Sequence, residues 1–229
     1  MPPLLITATR KELDAAVPEL AGEYVPEHMA VPMDIRGRPW LACVTGVGPI
    51  NAAIAMGQAL ARHPDINGVL NMGLAGTFDP DVAPMGATVL ITEEIWPEYG
   101  LADDAGVDAE GLGFPLWEEG SRRVWDRLSL SATPQALGLA VSPDMIRGAS
   151  LSVAGVTNSP ERAERLRRRY HALTENMEGF AVALACARQN VPLLEVRTIS
   201  NRVGSRAPAD RNFGAALAQL ETAFAALFL

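Results

Sequence analysis

Short runs of aliphatic and β-branched residues alternate along this chain with segments of helical periodicity, and that alternation restricts the fold more than any other feature. Such a chain buries a largely parallel sheet under helices, so the reading is an α/β domain. Residues 4–8 read as a first strand. Leu13, Ala16, Val17 and Leu20 then recur at helical spacing, which predicts a helix over 10–21 entered from that strand's C-terminal end. Residues 40–45 read as a strand, Gly46-Val47-Gly48-Pro49 as a tight loop, and 50–62 as an alanine-rich helix with Pro49 at its start. Further strands are predicted over 66–71, 87–92, 148–153 and 192–200, and further helices over 159–170 and 177–189. The glycine-rich stretch Asn71-Met72-Gly73-Leu74-Ala75-Gly76 reads as a loop at a strand's end. Phe213, Leu217, Leu220, Phe224 and Leu227 fall four, three, four and three apart, which predicts a C-terminal helix with Asp210 as its cap. Residues 96–119 dissolve into Gly, Pro, Asp and isolated aromatics, the pattern of a long functional loop. With no internal repeat and no dividing linker, residues 1–229 read as one domain.

Hydrophobic residues make up 48% of the 229, enough to bury a sizeable core. The 27 acidic residues outnumber the 19 basic ones, for a formal net charge of -8, which argues against nucleic acid or an anionic membrane as a partner. No apolar run approaches a membrane span, and no basic region precedes the apolar start, so a soluble cytoplasmic protein is expected. Cys43 and Cys186 sit in apolar company and read as buried thiols, with a bridge between them left open. His28, His63 and His171 are scattered, and no metal site is legible.

Several motifs point away from familiar chemistries. Gly46-x-Gly48 follows a strand, but Asn51 replaces the third glycine of a dinucleotide fingerprint and no acidic residue closes the next strand. A loop whose backbone approaches a small ligand is the better reading. The Gly73-x-x-Gly76 stretch ends another strand, so the two glycine segments would floor one pocket at the sheet edge where open α/β sheets place their sites. Arg162, Arg165, Arg167, Arg168 and Arg169 share a helix with Glu161 and Glu164 and read as a solvated face. Neither a Gly-x-Ser-x-Gly elbow nor a lysine phosphate loop is present. Glu12, Glu178 and Asn201 are each ordinary alone, as first-turn carboxylates and a turn residue. Together they project from the same sheet edge as the glycine segments.

Thr45-Gly46-Val47-Gly48, Asn71-Met72-Gly73-Leu74-Ala75-Gly76, Glu175-Asn176-Met177-Glu178 and Arg197-Thr198-Ile199-Ser200-Asn201 resemble, in order and spacing, the successive signatures of the purine nucleoside phosphorylase and nucleosidase superfamily. Asn-Met-Glu-Gly and Ser200-Asn201-Arg202-Val203-Gly204 are most similar to the branch that removes hypoxanthine from futalosine in menaquinone biosynthesis. The methylthioadenosine/adenosylhomocysteine nucleosidases come next. The resemblance implies a single three-layer α/β/α domain around a twisted mixed sheet, no cofactor, a small-molecule nucleoside substrate, and a homodimer or higher homo-oligomer. In such an assembly a loop of one subunit helps close its neighbour's site, and residues 96–119 are the candidate. Carried over by position, Glu12 activates the attacking water, aided by Arg197. Glu178 holds the ribose hydroxyls, Met177 packs on the sugar, and Val47 lies near the ribose. Asn201 faces the purine edge, while Ala75, Gly76, Val156 and Thr157 line the base pocket.

The chemistry asks for these residue types independently. Cleaving a glycosidic C–N bond passes through an oxocarbenium-like state, which needs a carboxylate to deprotonate water on one side and a donor for the departing base on the other. A further carboxylate on the ribose hydroxyls positions the sugar and offsets its growing positive charge. Where the adenine-specific relatives place an aspartate, this chain has Asn201, which donates to N7 but cannot protonate it. A 6-oxopurine leaves with negative charge spread onto O6, so hypoxanthine is the expected base. Asn also pairs bidentately with adenine N6 and N7, so ground-state binding alone leaves the base open. The early loop Thr7-Ala8-Thr9-Arg10-Lys11-Glu12 offers phosphate little beyond Arg10, and Glu12 repels it, so water is the expected nucleophile. An adenosine-type nucleosidase or phosphorylase, and a non-catalytic nucleoside sensor, remain the alternatives.

Overall fold

The computed structural model describes residues 1–104, 106–130 and 134–228. Its first strand, β1 (Leu4–Thr7), is buried throughout, and the alternation of strand side chains sends Leu5 into one hydrophobic cluster and Leu4 and Ile6 into another on the opposite face. On the Leu5 side lie α1 (Arg10–Ala16) and α5 (Phe213–Ala226). On the other lie α2 (Pro49–Arg62) and α4 (Gly179–Arg188). A third cluster, under α3 (Pro160–Tyr170), gathers Ile95, Leu151 and Val153.

The sheet between these layers is mixed. β1 pairs in parallel with β3 (Arg38–Val44) and β4 (Val69–Thr77), and β2 (Val31–Ile35) runs antiparallel along the far side of β3. The remaining strands close on themselves. β4 pairs with β12 (Thr174–Asn176) and with β13 (Leu193–Arg202); β5 (Thr88–Ile95) pairs with β13, with β11 (Ile146–Ser152) and with β10 (Arg127–Ser129); β11 pairs with β12. Two small hairpins stand outside this sheet, β6 (Leu101–Asp103) with β7 (Gly106–Asp108), and β8 (Trp117–Glu119) with β9 (Arg122–Val124). One edge of β4 is shared. β1 accompanies it as far as Asn71 and β12 joins it at Gly76, so the residues between have no strand partner on that side.

The structure corrects four sequence readings. The glycine-rich stretch 71–76 is not a loop but the second half of β4, buried at every position except Leu74. β13 pairs with it along its whole length and holds the backbone extended, so tertiary pairing overrides the low strand propensity of glycine. The first helix ends at Ala16 rather than residue 21, because Pro18 supplies no N–H and begins a 3₁₀ turn, Pro18–Leu20. The helix expected from residue 177 begins at Gly179. The last helix is capped by Asn212, whose side chain accepts from the Ala215 N–H, while Asp210 accepts from the Ser205 hydroxyl instead. Residues 96–119 contain the first small hairpin and the β8 strand; Ala105 within them lies outside the described residues.

Both cysteines are buried free thiols. Among the described residues no helix is long and apolar enough to cross a membrane, and no group of three His, Cys, Asp or Glu could hold a metal ion.

Leu70 lies fully buried near the start of β4, facing the cluster that joins α1 and α5 to the sheet. Leu70→Ala is expected to lower unfolding free energy by about 2–5 kcal/mol, measured by urea titration, because the rigid strands around it cannot collapse into the cavity.

Candidate active site

Where β1 leaves β4 and before β12 joins it, the Leu74 N–H has no strand partner, and Glu12 takes it: Oε1 accepts from that nitrogen at 3.0 Å. Glu12 also closes a capping box at the start of α1. Its Oε2 accepts from the Thr9 N–H and hydroxyl, both at 2.8 Å, and the Thr9 hydroxyl accepts from the Glu12 N–H. The carboxylate is thus fixed from two sides while the residue keeps 7% of its surface open.

Gly73 makes room for this arrangement. A Cβ there would lie 2.6 Å from Arg197 Nη1 and 2.9 Å from Glu12 Oε1, so both groups rest on the bare backbone of β4. Arg197 is 1% exposed and is paired with Glu195, Nε to Oε1 at 2.9 Å, rather than with Glu12. Burial disfavours its charge, but Glu195, Glu178 and Glu94 around it more than restore the protonated form.

Glu178 stands immediately before α4. Asn176 Oδ1 accepts from the N–H groups of Glu178 and Gly179, at 2.9 and 2.7 Å, and so shapes the helix start. Glu178 Oε1 accepts from the Gly48 N–H at 2.8 Å across the sheet edge. Gly46 and Gly48 both have positive φ, 76° and 97°, which turns that N–H inward and leaves Val47 at the tip of the turn, 52% exposed. Burial pushes the Glu178 carboxyl above its ordinary range, against the opposing pull of Arg197.

Asn201 lies in β13 beside a register shift that follows Ile199, so the strand bulges at the site. Its partner on β4 is Gly76, whose missing Cβ would come 2.9 Å from Asn201 Nδ2. The Ser200 hydroxyl donates to Asn201 Oδ1 at 2.9 Å, and Asn201 Nδ2 donates to the Arg202 carbonyl at 3.2 Å, which leaves its second hydrogen for a ligand.

These groups converge on one cleft of about 230 Å³. It is lined by Glu12, Glu178, Asn201, Met177, Val47, Ala75, Gly76 and Val156 among the residues singled out from the sequence. Arg197 stands behind Glu12 without lining the cleft, and Thr157 lies beneath it, 2% exposed, donating its N–H to Glu175 Oε1 at 3.0 Å. Sequence reasoning missed the roles of Glu175, Leu74, Thr9 and Phe213 at the cleft. Glu175 carries a signal, since it opens the Glu-Asn-Met-Glu motif; Phe213, at the start of α5 and 48% exposed, reads from sequence only as a core position of its helix.

Among the described residues no lysine or arginine lines the cleft, whereas Glu12, Glu175 and Glu178 do. Arg10 is tied down elsewhere, to Asp14 at 2.7 Å, to the Leu20 carbonyl at 2.8 Å and to the Glu23 carbonyl.

Residues 6–229 match the family model of the phosphorylase superfamily. The chain is 34% identical over 226 residues to a futalosine hydrolase of Thermus thermophilus, an alignment covering 96% of this chain and 92% of that one. Among solved structures it superposes on a 5'-methylthioadenosine/S-adenosylhomocysteine nucleosidase from Helicobacter pylori with a TM-score of 0.75 at 20% identity, covering 98% of this chain and 96% of that one. It superposes on a futalosine hydrolase mutant of the same organism with a TM-score of 0.74 at 20% identity, covering 98% and 97%. The fold is therefore that of the nucleosidases, and the chain belongs to the phosphorylase superfamily and, within it, to the futalosine hydrolase family.

Proposed function

We propose that residues 1–229 form one catalytic unit that hydrolyses the N-glycosidic bond of futalosine, releasing hypoxanthine and dehypoxanthine futalosine on the route to menaquinone. The observation that carries this reading is the spacing of two groups along β4. Glu12 rests over Gly73 and Asn201 over Gly76, three residues apart, or about 10 Å along an extended strand. Both groups line the same cleft, so a nucleoside lying in it meets the carboxylate on its sugar side and the amide on its base side.

In this scheme Glu12 takes the proton of the attacking water. Leu74 and Thr9 hold the carboxylate in place, and Arg197 stands behind it across Gly73. Glu178 binds the ribose hydroxyls, and its charge offsets the oxocarbenium character that grows at the sugar. Asn201 donates to N7 as the base departs. A cleft lined by three carboxylates and no cation disfavours phosphate as the nucleophile, which supports hydrolysis over phosphorolysis.

The homo-oligomer implied by the resemblance has a candidate surface. Ile50 is 74% and Ile54 45% exposed on α2, beside an apolar groove lined also by Ala53, Trp96, Phe180 and Leu184. Val47 joins this face to the cleft, so we assign the groove to a second copy of the chain, whose approach would cover the open side of the site. Trp96 stacks on Tyr99 and leans on Phe180 here, which puts the start of segment 96–119 at that interface. A cytoplasmic setting fits two buried thiols; burial holds Cys43 at a pKa of about 12, so its reactive thiolate is scarce.

Incubation of the purified chain with futalosine, inosine and methylthioadenosine, with and without phosphate, tests the reading by chromatography of the released bases. Hypoxanthine from futalosine, independent of phosphate, is the expected outcome, and adenine from methylthioadenosine as the preferred product overturns it. Glu12→Gln is expected to bind substrate and lose turnover by about 10²-fold or more.

Gly73→Ala inserts a methyl between Glu12 and Arg197. A loss in kcat of about 10²-fold is expected, with the circular dichroism spectrum retained, since a displacement near 1 Å suffices for that cost. Sedimentation should show a dimer or larger assembly for the wild type and a smaller, less active species for Ile54→Glu; a monomeric, fully active wild type overturns the interface.

A further inference from the structure

We infer that Glu175 selects the base, its free carboxylate oxygen accepting a hydrogen bond from the N1–H of a 6-oxopurine held across Gly76 from Asn201. The inference rests on the nucleosidase reading above and adds the group that decides which purine leaves.

Glu175, Gly76 and Asn201 form one rung across three strands: Glu175 on β12 pairs with Gly76 on β4, and Gly76 pairs with Asn201 on β13. Two strand spacings separate the outer pair, about 10 Å between their Cα atoms, and the middle residue has no side chain. A flat slot results, with a carboxylate on one flank and an amide on the other, and all three residues line the cleft.

The two oxygens of Glu175 differ. Oε1 accepts the Thr157 N–H at 3.0 Å. Thr157 is braced in turn, because Arg162 Nε donates to its hydroxyl at 3.2 Å while Glu98 receives Arg162 Nη2 at 3.2 Å and the Ala154 N–H at 3.0 Å. Oε2 has no hydrogen-bond partner among the described residues, although Glu175 is only 5% exposed. A buried carboxylate oxygen without a donor is costly, so the slot calls for a ligand that brings one. Burial raises the Glu175 carboxyl above its ordinary range, the direction that a bound donor would relieve.

Hypoxanthine and adenine differ at this edge. In the 6-oxopurine N1 carries hydrogen and meets an acceptor; in the 6-aminopurine N1 is a lone pair and meets another lone pair. Asn201 by itself does not separate them, since N7 accepts in both bases and the amide has one N–H left after its bond to the Arg202 carbonyl. Glu175 supplies the asymmetry, as a specificity residue that touches the base and takes no part in activating water.

Glu175→Gln tests this with the full chain. The Thr157 N–H still requires an acceptor, so the amide carbonyl takes the place of Oε1 and the NH₂ replaces Oε2. A donor then faces N1, opposing hypoxanthine and suiting adenine. The kcat/KM ratio of futalosine to its 6-amino analogue is expected to fall by about 10 to 100-fold, and calorimetry should show hypoxanthine binding weakened relative to adenine. Equal losses on both substrates, with the ratio unchanged, would mean a merely structural role and overturn the inference. A measurement on the unaltered protein guards against a misfolded variant: 1-methylhypoxanthine, which lacks the N1–H, should bind at least about 10-fold more weakly than hypoxanthine, and equal binding overturns the inference. A wild type that leaves futalosine uncut refutes the proposed function, while the comparison of hypoxanthine, adenine and 1-methylhypoxanthine binding still decides the role of Glu175.

Discussion

Everything at the cleft depends on how closely other groups approach the second half of β4. This strand lies between β13 on one edge and β1 followed by β12 on the other, and it carries glycine at the two positions where polar side chains lie across it. Gly73 leaves room for the Glu12 carboxylate and the Arg197 guanidinium, Gly76 for the Asn201 amide. Any side chain at either position would push those groups away. The unpaired N–H of Leu74 between them anchors Glu12, so the gap between two strands holds the carboxylate in place as well as opening the cleft.

Behind the cleft the structure holds an unusual concentration of buried charge. Glu94, Glu195 and Arg197 are at most 1% exposed, and the two carboxylates crowd Gly179 at the first turn of α4, where a Cβ would collide with both. Neutral donors share the load: Asn176 Nδ2 and the Ser152 hydroxyl, both at 2.7 Å, bond the two oxygens of Glu94. Burial, reinforced by nearby Glu195, pushes the Glu94 carboxyl well up. Breaking such a cluster by removing one member is destabilising because the remaining charges stay buried without a partner. The network also joins the strands that border the cleft, so the groups lining it stand on a rigid base.

Much of this was legible in the residues. Hydrophobic alternation marked most of the large-sheet strands and the helices, since a period of 2 or 3.6 is set by local geometry and survives in any context. The polar residues Glu12, Glu178 and Asn201 stood out because each interrupts or ends an apolar element. The short strands β2 and β12 and the hairpins were not legible; their three to five residues carry too little pattern, and β12 exists because β4 and β11 offer it partners.

The sequence by itself determined the α/β class, the order of the elements and the chemical types gathered for glycosidic hydrolysis, because periodicity and residue chemistry are local properties. Only the tertiary structure decided that the glycine stretch is a strand and that Arg197 pairs with Glu195 rather than Glu12. It alone put Glu175 and Asn201 on opposite flanks of Gly76. These facts depend on which strands become neighbours and in what register, and residues 76, 175 and 201 meet only when the sheet closes through long-range pairing.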